Sequence, residues 1–145
     1  MRVSAKVDYA LRACAELAAA PPGPVKGERI ATAQGIPPKF LENILLDLRH
    51  AEIVASQRGA EGGYFLARPA GEISIADVIR AVEGPIASVR GARPDDLSYT
   101  GAAAALTGVW LELRAAMRGV LEETSLADVV ERSGGVAASE PDLHA

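Results

Sequence analysis

Residues 36–67 read IPPKFLENILLDLRHAEIVASQRGAEGGYFLA. Pro37 and Pro38 suit the first turn of a helix, where a missing N–H costs little. From there Leu41, Ile44, Leu45 and Leu48 recur at steps of three and four, the apolar stripe of an amphipathic helix. The opposite face carries Lys39, Glu42, Asn43, Leu46, Arg49 and His50. Such a face is either a solvated surface or a hydrogen-bonding row that fits a DNA major groove. Two short strands follow, about Val54–Gln57 and Tyr64–Ala67, joined by Arg58-Gly59-Ala60-Glu61-Gly62-Gly63. The glycines permit positive φ and close approach of the backbone to another surface. They join strands and open no helix, so they are not a dinucleotide fingerprint. Arg58 stands where a hairpin tip could set a guanidinium against a phosphate or into a minor groove; the other reading is an exposed loop arginine. A helix feeding directly into a Gly-rich hairpin predicts a winged helix-turn-helix.

The flanking chain supplies the rest of that unit. Ser4 caps a first helix running to about Ala20, with Val7, Leu11, Cys14, Leu17 and Ala18 on one stripe. Pro21, Pro22, Gly23 and Pro24 end it. A short helix fits Glu28–Gln34, and Gly35 makes the turn before the third helix. Beyond the hairpin, Ser74-Ile75-Ala76-Asp77 resembles a capping box and opens a fourth helix that Gly84 and Pro85 stop. Residues 85–101 show no period and read as a loop.

From about Ala102 to Glu123, Leu106, Val109, Trp110, Leu113, Met117, Val120 and Leu121 recur at helical spacing. A helix of that length spans about 33 Å, too long for the preceding domain to cover, which predicts that the stripe pairs with a second copy. An intrachain core helix would accommodate Trp110 and Leu113 equally well. Ser125-Leu126-Ala127-Asp128 starts a last short helix, and the tail from Ser133 is small, polar and expected to be disordered. The fold class expected is therefore mostly α with a small β-hairpin. The divisions are a winged helix-turn-helix domain (1–84), a sensor-type loop (85–101), a dimerisation helix with a short C-terminal helix (102–132) and a tail (133–145).

Composition narrows the function. The chain has 145 residues, one cysteine, two histidines and a net charge of −4. One cysteine excludes an internal disulfide framework and a cysteine-cluster metal site. No apolar run approaches a membrane span, and the first residues lack the apolar core of a secretory signal, so the cytoplasm is the expected compartment. Residues 1–68 hold nine Lys/Arg against seven Asp/Glu, and residues 69–145 six against twelve, which places any anion-binding surface in the first half. No HExxH, CxxC, phosphate loop or nucleophile–histidine arrangement is present, and no enzyme activity is expected.

Four segments together resemble one family of bacterial dimeric winged-helix transcriptional regulators, which includes IscR, NsrR and CymR. They are MRVSAKVDYALRA (1–13), residues 36–67, ISIADVIRAVEG (73–84) and TSLADVV (124–130). The wing pattern RG-x-x-GGY, Arg58 to Tyr64, following the PxxFLExIL-type helix, is the most specific part. The resemblance implies that the third helix enters the major groove, with Lys39, Phe40, Glu42 and Asn43 at its DNA-facing start and Arg49 further along. It implies that Arg58, Gly59, Gly62, Gly63 and Tyr64 form the wing, and that Ser4 and Lys6 touch the DNA backbone. In the family, a glutamate matching Glu42 is tied to discrimination between operator classes; a carboxylate there is repelled by phosphates unless it accepts from a cytosine amino group. The long helix matches the family's dimerisation helix.

The resemblance also implies a cluster site that this chain has lost. Cluster-binding members carry three cysteines in the loop; the matching positions here are Ala92, Ser98 and Ala104, with Thr107 at a further ligand position. Asp8 matches a ligand of the nitric-oxide sensor, yet alone holds no cluster. The expectation is no metal, no cofactor, and control by a small-molecule effector or a regulatory protein. Arg90 and Arg93 are candidate contacts for an anionic effector, or plain solvated charges. Cys14, on the apolar stripe, reads as a core residue rather than a thiol switch. The partners expected are double-stranded DNA with a palindromic operator and a second copy of the chain. The alternative is a winged-helix protein-interaction module that no longer binds DNA, which the acidic Glu42, Asp47 and Glu61 favour.

Overall fold

The computed structural model describes residues 2–134. Helix α1, Ala5–Ala19, lies at the centre. The Ser4 hydroxyl accepts from the Val7 N–H at 3.2 Å and caps it. Its Val7, Ala10, Ala13, Cys14 and Leu17 are buried, and the two alanines let neighbouring helices approach closely. Helix α2, Gly27–Gln34, ends on Gly35, whose φ of 63° is the left-handed closure that favours glycine. Helix α3, Pro38–His50, buries Leu41, Ile44, Leu45 and Leu48 against α1 and α2. Each such side chain removed from water contributes about 1.5–3 kcal/mol, so the stripe seats α3 firmly.

Strands β1, Val54–Gln57, and β2, Gly63–Leu66, pair antiparallel with Val54 opposite Leu66 and Gln57 opposite Gly63. The second strand thus begins at Gly63 and ends one residue before Ala67. A third extended piece joins them: Val25 donates to the Tyr64 carbonyl at 2.7 Å and accepts from the Tyr64 N–H at 2.8 Å. Nothing in the Pro- and Gly-rich run around Val25 signals that pairing.

Helices α4, Ile75–Glu83, and α6, Leu126–Arg132, both start on complete capping boxes, Ser74 with Asp77 and Ser125 with Asp128. The two starts are stitched together, Ile75 N–H donating to the Thr124 carbonyl and Leu126 N–H to the Ile73 carbonyl, each at 2.9 Å. Leu126 consequently shares one hydrophobic core with the first four helices. Hydrogen bonds from the Ser125 backbone and then its hydroxyl hold the Asp128 carboxyl below its ordinary range. A carboxyl lowered on folding adds stability above its unfolded pKa of about 3.9 and loses it as pH falls through the folded value. Asp128→Asn is therefore expected to lower the unfolding temperature at pH 7 and to have little effect at pH 3, as thermal melts at the two pH values will read.

Between α4 and α6 the loop tightens at Val89–Ala92, makes single 3-10 turns at Pro94–Asp96 and Gly101–Ala103, and enters α5, Leu106–Glu123. The helix begins four residues later than its expected start at Ala102, because Gly101, with φ of 59°, and the 3-10 turn occupy that stretch. Eighteen residues give it about 27 Å. No helix among the described residues is long and apolar enough to cross a membrane. The expected disordered tail lies, beyond Gly134, outside the described residues.

Candidate nucleic-acid interface

The stripe that seats α3 turns its other face outward. Lys39, Glu42, Asn43, Leu46, Arg49 and His50 are all exposed along it. Asp47 is the exception, because its carboxylate pairs with Lys6 at 2.7 Å and ties the start of α1 to the middle of α3. Lys6 is thus half-screened at the edge of this surface, and Ser4 spends its hydroxyl on the α1 cap. Phe40 stands beside the polar row, half exposed, with its ring edge-on to Tyr9 at 6.1 Å, and the Arg12 guanidinium covers the other part of Tyr9 at 4.8 Å. Arg12 also donates to the Gln34 carbonyl at 2.6 Å and pairs with Asp8 at 3.1 Å, so it braces the end of α2 against α1. Gln34 donates to the buried Glu16 at 2.5 Å, while burial pushes the Glu16 carboxyl up against that bond and the Arg29 charge. The α2–α3 unit is therefore fixed to α1 by polar contacts that no spacing rule signals.

At the hairpin tip Arg58, Gly59, Ala60 and Glu61 are exposed. Gly62, Gly63 and Tyr64 are set by the backbone and core around them. Gly62 is buried, and a Cβ there would stand 2.1 Å from the Gln57 carbonyl oxygen. A Cβ on Gly63 would stand 2.5 Å from the Val25 carbonyl oxygen. Tyr64 packs on the core and against Gly27. Gly62 and Gly63 shape the wing, since close backbone approach leaves no room for a Cβ there, and Tyr64 anchors its second strand on the core. Lys26 completes it, its Nζ donating to the Ala60 carbonyl at 2.5 Å and tethering the tip. Beneath, Arg49 and Arg68 share a groove with Glu52 at the foot of the hairpin. Lys26 escapes sequence reading because it acts through a neighbour 34 residues on in the chain. Among the described residues Lys39, Arg49 and Arg58 have no carboxylate partner.

The apolar stripe of α5 divides along its length. Leu106, Val109, Leu113 and Val120 are exposed, Val120 to 64%. Trp110, Met117 and Leu121 turn toward the chain's own fold and are half-buried, and the Trp110 indole N–H donates to the Tyr99 hydroxyl at 3.0 Å. The chain's own fold thus covers Trp110 and leaves Val109 and Val120 the most open of the stripe.

The model of the Rrf2 family, described as "Iron-dependent Transcriptional regulator", matches residues 3–132. The chain belongs to the Rrf2 family. It is similar, at 59% identity over 130 residues, to a Mycobacterium tuberculosis (strain H37Rv) protein provisionally named HTH-type transcriptional regulator Rv1287; the match covers 89% of this chain and 81% of that one. The solved structure of CymR (YrzC), the global cysteine regulator of Bacillus subtilis, superposes with a TM-score of 0.78 at 32% identity, covering 91% of this chain and 98% of the other. That of IscR from T. potens does so with a TM-score of 0.75 at 33% identity, covering 92% and 88%. The Rrf2 chain is accordingly a winged-helix, DNA-binding transcriptional regulator and not an enzyme.

The family's iron does not find a home in the loop of this Rrf2 protein. Ala92, Ser98 and Ala104 offer methyl groups and one hydroxyl, and the Thr107 hydroxyl donates to the Leu97 carbonyl at 3.2 Å. Iron–sulfur clusters need thiolates or imidazoles at those places. Among the described residues no group of three or more His, Cys, Asp or Glu side chains is gathered closely enough to hold a metal ion. Cys14 is wholly buried, and burial pushes its thiol up to about 12, so at neutral pH it is a protonated core side chain and not a nucleophile.

Proposed function

We propose that two copies of this Rrf2 protein join along the exposed α5 stripe and repress transcription from a palindromic operator. In each copy α3 enters the major groove and the Arg58–Glu61 tip approaches the adjacent minor groove or backbone. The observation that carries this reading is the pairing of two free surfaces, the exposed polar row of α3 and the exposed tip of the hairpin, on one rigid scaffold. Lys39, Asn43 and Glu42 sit at the start of α3, where recognition helices meet base edges. Arg49 and Arg58 supply phosphate contacts, with Ser4 and Lys6 at the rim. The two half-sites then lie about one helical turn apart. The residues work as a DNA-reading body (1–84), a sensing loop (85–101) and a pairing segment (102–132). No iron–sulfur cluster takes part; a small molecule or a partner protein gives the signal, in the cytoplasm.

Arg58→Ala is expected to weaken operator binding about tenfold and to reduce the salt slope by about one, with an unchanged melting temperature. Anisotropy titrations with the DNA upstream of the protein's own gene, at several salt concentrations, measure both. Binding as tight as the native chain's would remove the wing from the interface. Selection of bound sequences from a random DNA library tests the operator reading as a whole: a palindromic motif is expected, and enrichment of none would favour a winged helix that binds protein instead.

A further inference from the structure

A cavity of about 500 Å³ opens between the end of α4, the loop that follows it and the inner face of α5. Four arginines line it, Arg80 from α4, Arg93 from the loop, and Arg114 and Arg118 from α5, while Pro85, Ile86 and Ala87 form an apolar wall. Two carboxylates serve these four cations. Glu122 Oε1 accepts from Arg80 and, at 3.0 Å, from Arg118 Nε. Asp95 Oδ1 accepts from Arg114 at 3.0 Å and lies 3.8 Å from Arg93 Nε. Each pair of guanidiniums thus converges on one oxygen atom, and an arginine has five N–H donors, so donors remain at every one of them. Within ion-pair distance, four guanidiniums thus meet two carboxylates, while Glu72, Asp77, Glu123 and Asp128 line the adjoining cavity that Arg80 and Glu122 share. The four arginines are gathered in the half of the chain where acidic residues outnumber basic ones twelve to six, against its average charge.

We propose that this cavity is the effector site and that it takes a small organic dianion, a dicarboxylate or a phosphate ester, held by Arg80, Arg93, Arg114 and Arg118. The inference rests on the reading of the chain as an effector-controlled regulator. Planar guanidinium forks match carboxylate and phosphate oxygens, and four guanidiniums on two carboxylate oxygens favour a dianion over a monoanion. The apolar wall accommodates a short carbon body, and the volume lies within the usual range for small-ligand sites. Arg90, which stands on the exposed turn with φ of 53°, is not among the lining residues, so of the two loop arginines Arg93 is the one that serves. The position suits a signal. Helix α4 packs on α1 and α3, the helix that meets DNA, whereas the back of α5 carries the exposed apolar stripe. An anion that draws Arg80 and Arg93 toward Arg114 and Arg118 acts on both at once.

The test is calorimetric titration of the full chain, without DNA, with succinate and with glycerol 3-phosphate, using acetate as the monoanion control at constant ionic strength. Saturable binding of at least one dianion, one per chain, is expected. It should weaken tenfold or more in Arg93→Gln and in Arg114→Gln and stay unchanged in Arg132→Gln, which carries the same charge change on α6. Arg93 is largely exposed, so its variant remains informative if Arg114→Gln fails to fold. The dianion should also shift operator affinity at least threefold in the native chain and not in Arg93→Gln. The proposal is overturned if neither dianion saturates, if acetate binds as tightly, if Arg93→Gln binds like the native chain, or if operator affinity does not respond. A chain that binds no DNA at all defeats the function proposed above, and the DNA-free titration then still decides whether the cavity binds dianions.

Discussion

Gly62→Ala is expected to lower operator affinity about a hundredfold or more while the helices stay folded. The new methyl would stand 2.1 Å from the Gln57 carbonyl oxygen and 2.8 Å from the Arg58 carbonyl carbon. Both are backbone atoms, which cannot swing aside as a side chain would. The turn must open, and with it goes the Gly62 N–H bond to the Gly59 carbonyl, 3.0 Å long. Arg58 and the Ala60 carbonyl that Lys26 holds are then displaced together. The hydrophobic core is built from α1–α4 and α6 with the foot of the hairpin, so the damage stays local. Gly59→Ala is the control: its φ of 103° strains an alanine, yet nothing lies within 4 Å of its Cβ. Backbone strain of that kind costs about 1–3 kcal/mol, less than a clash that forbids the turn. Circular dichroism and operator titration of the two variants decide it; a Gly59 variant weaker than the Gly62 variant would refute the steric account.

Leu113→Glu is expected to convert the dimer proposed above to monomers and to weaken operator binding by the loss of coupling between half-sites. Leu113 is 38% exposed on the outer edge of the α5 stripe, with Leu106, Val109 and Val120. Pairing about a twofold axis sets the same patch against itself, so one substitution places two carboxylates in one apolar contact. A buried unpaired charge costs several kcal/mol, enough to raise the dissociation constant a hundredfold or more. Leu113 is not part of the protomer's buried core, so the monomer should keep the native helical fold. Sedimentation equilibrium reads the assembly state directly. A variant that remains dimeric would transfer the interface to another surface.

The helices were legible because local rules govern them. Pro38 at a first turn, Ser4, Ser74 and Ser125 as caps, and Gly35 as a left-handed stop each act through contacts within four residues. The exposed face of α3 followed from its buried stripe by geometry alone. The wing glycines were visible as a motif, but their reason was not. The resemblance made Gly62 and Gly63 part of the wing, and the carbonyls of Gln57 and Val25, their neighbours in space, show why no Cβ fits at either. The start of α5 was placed early because the alanines from Ala102 to Ala105 are helix formers by propensity, and the 3-10 turn there is a tertiary outcome.

By itself the sequence determined the order of elements, the seating of α3 and the family. Those depend on residue type and on spacing along one element, both of which are printed in the chain. Only the tertiary structure decided which edge of the α5 stripe stays exposed, that Lys26 and Val25 hold the wing, and that α6 returns to close the first core. It alone brought Arg80 from one helix, Arg93 from a loop and Arg114 and Arg118 from another helix around one cavity. The reason is physical: charges and backbone edges far apart in sequence find one another only after burial of the apolar stripes has fixed where each helix lies.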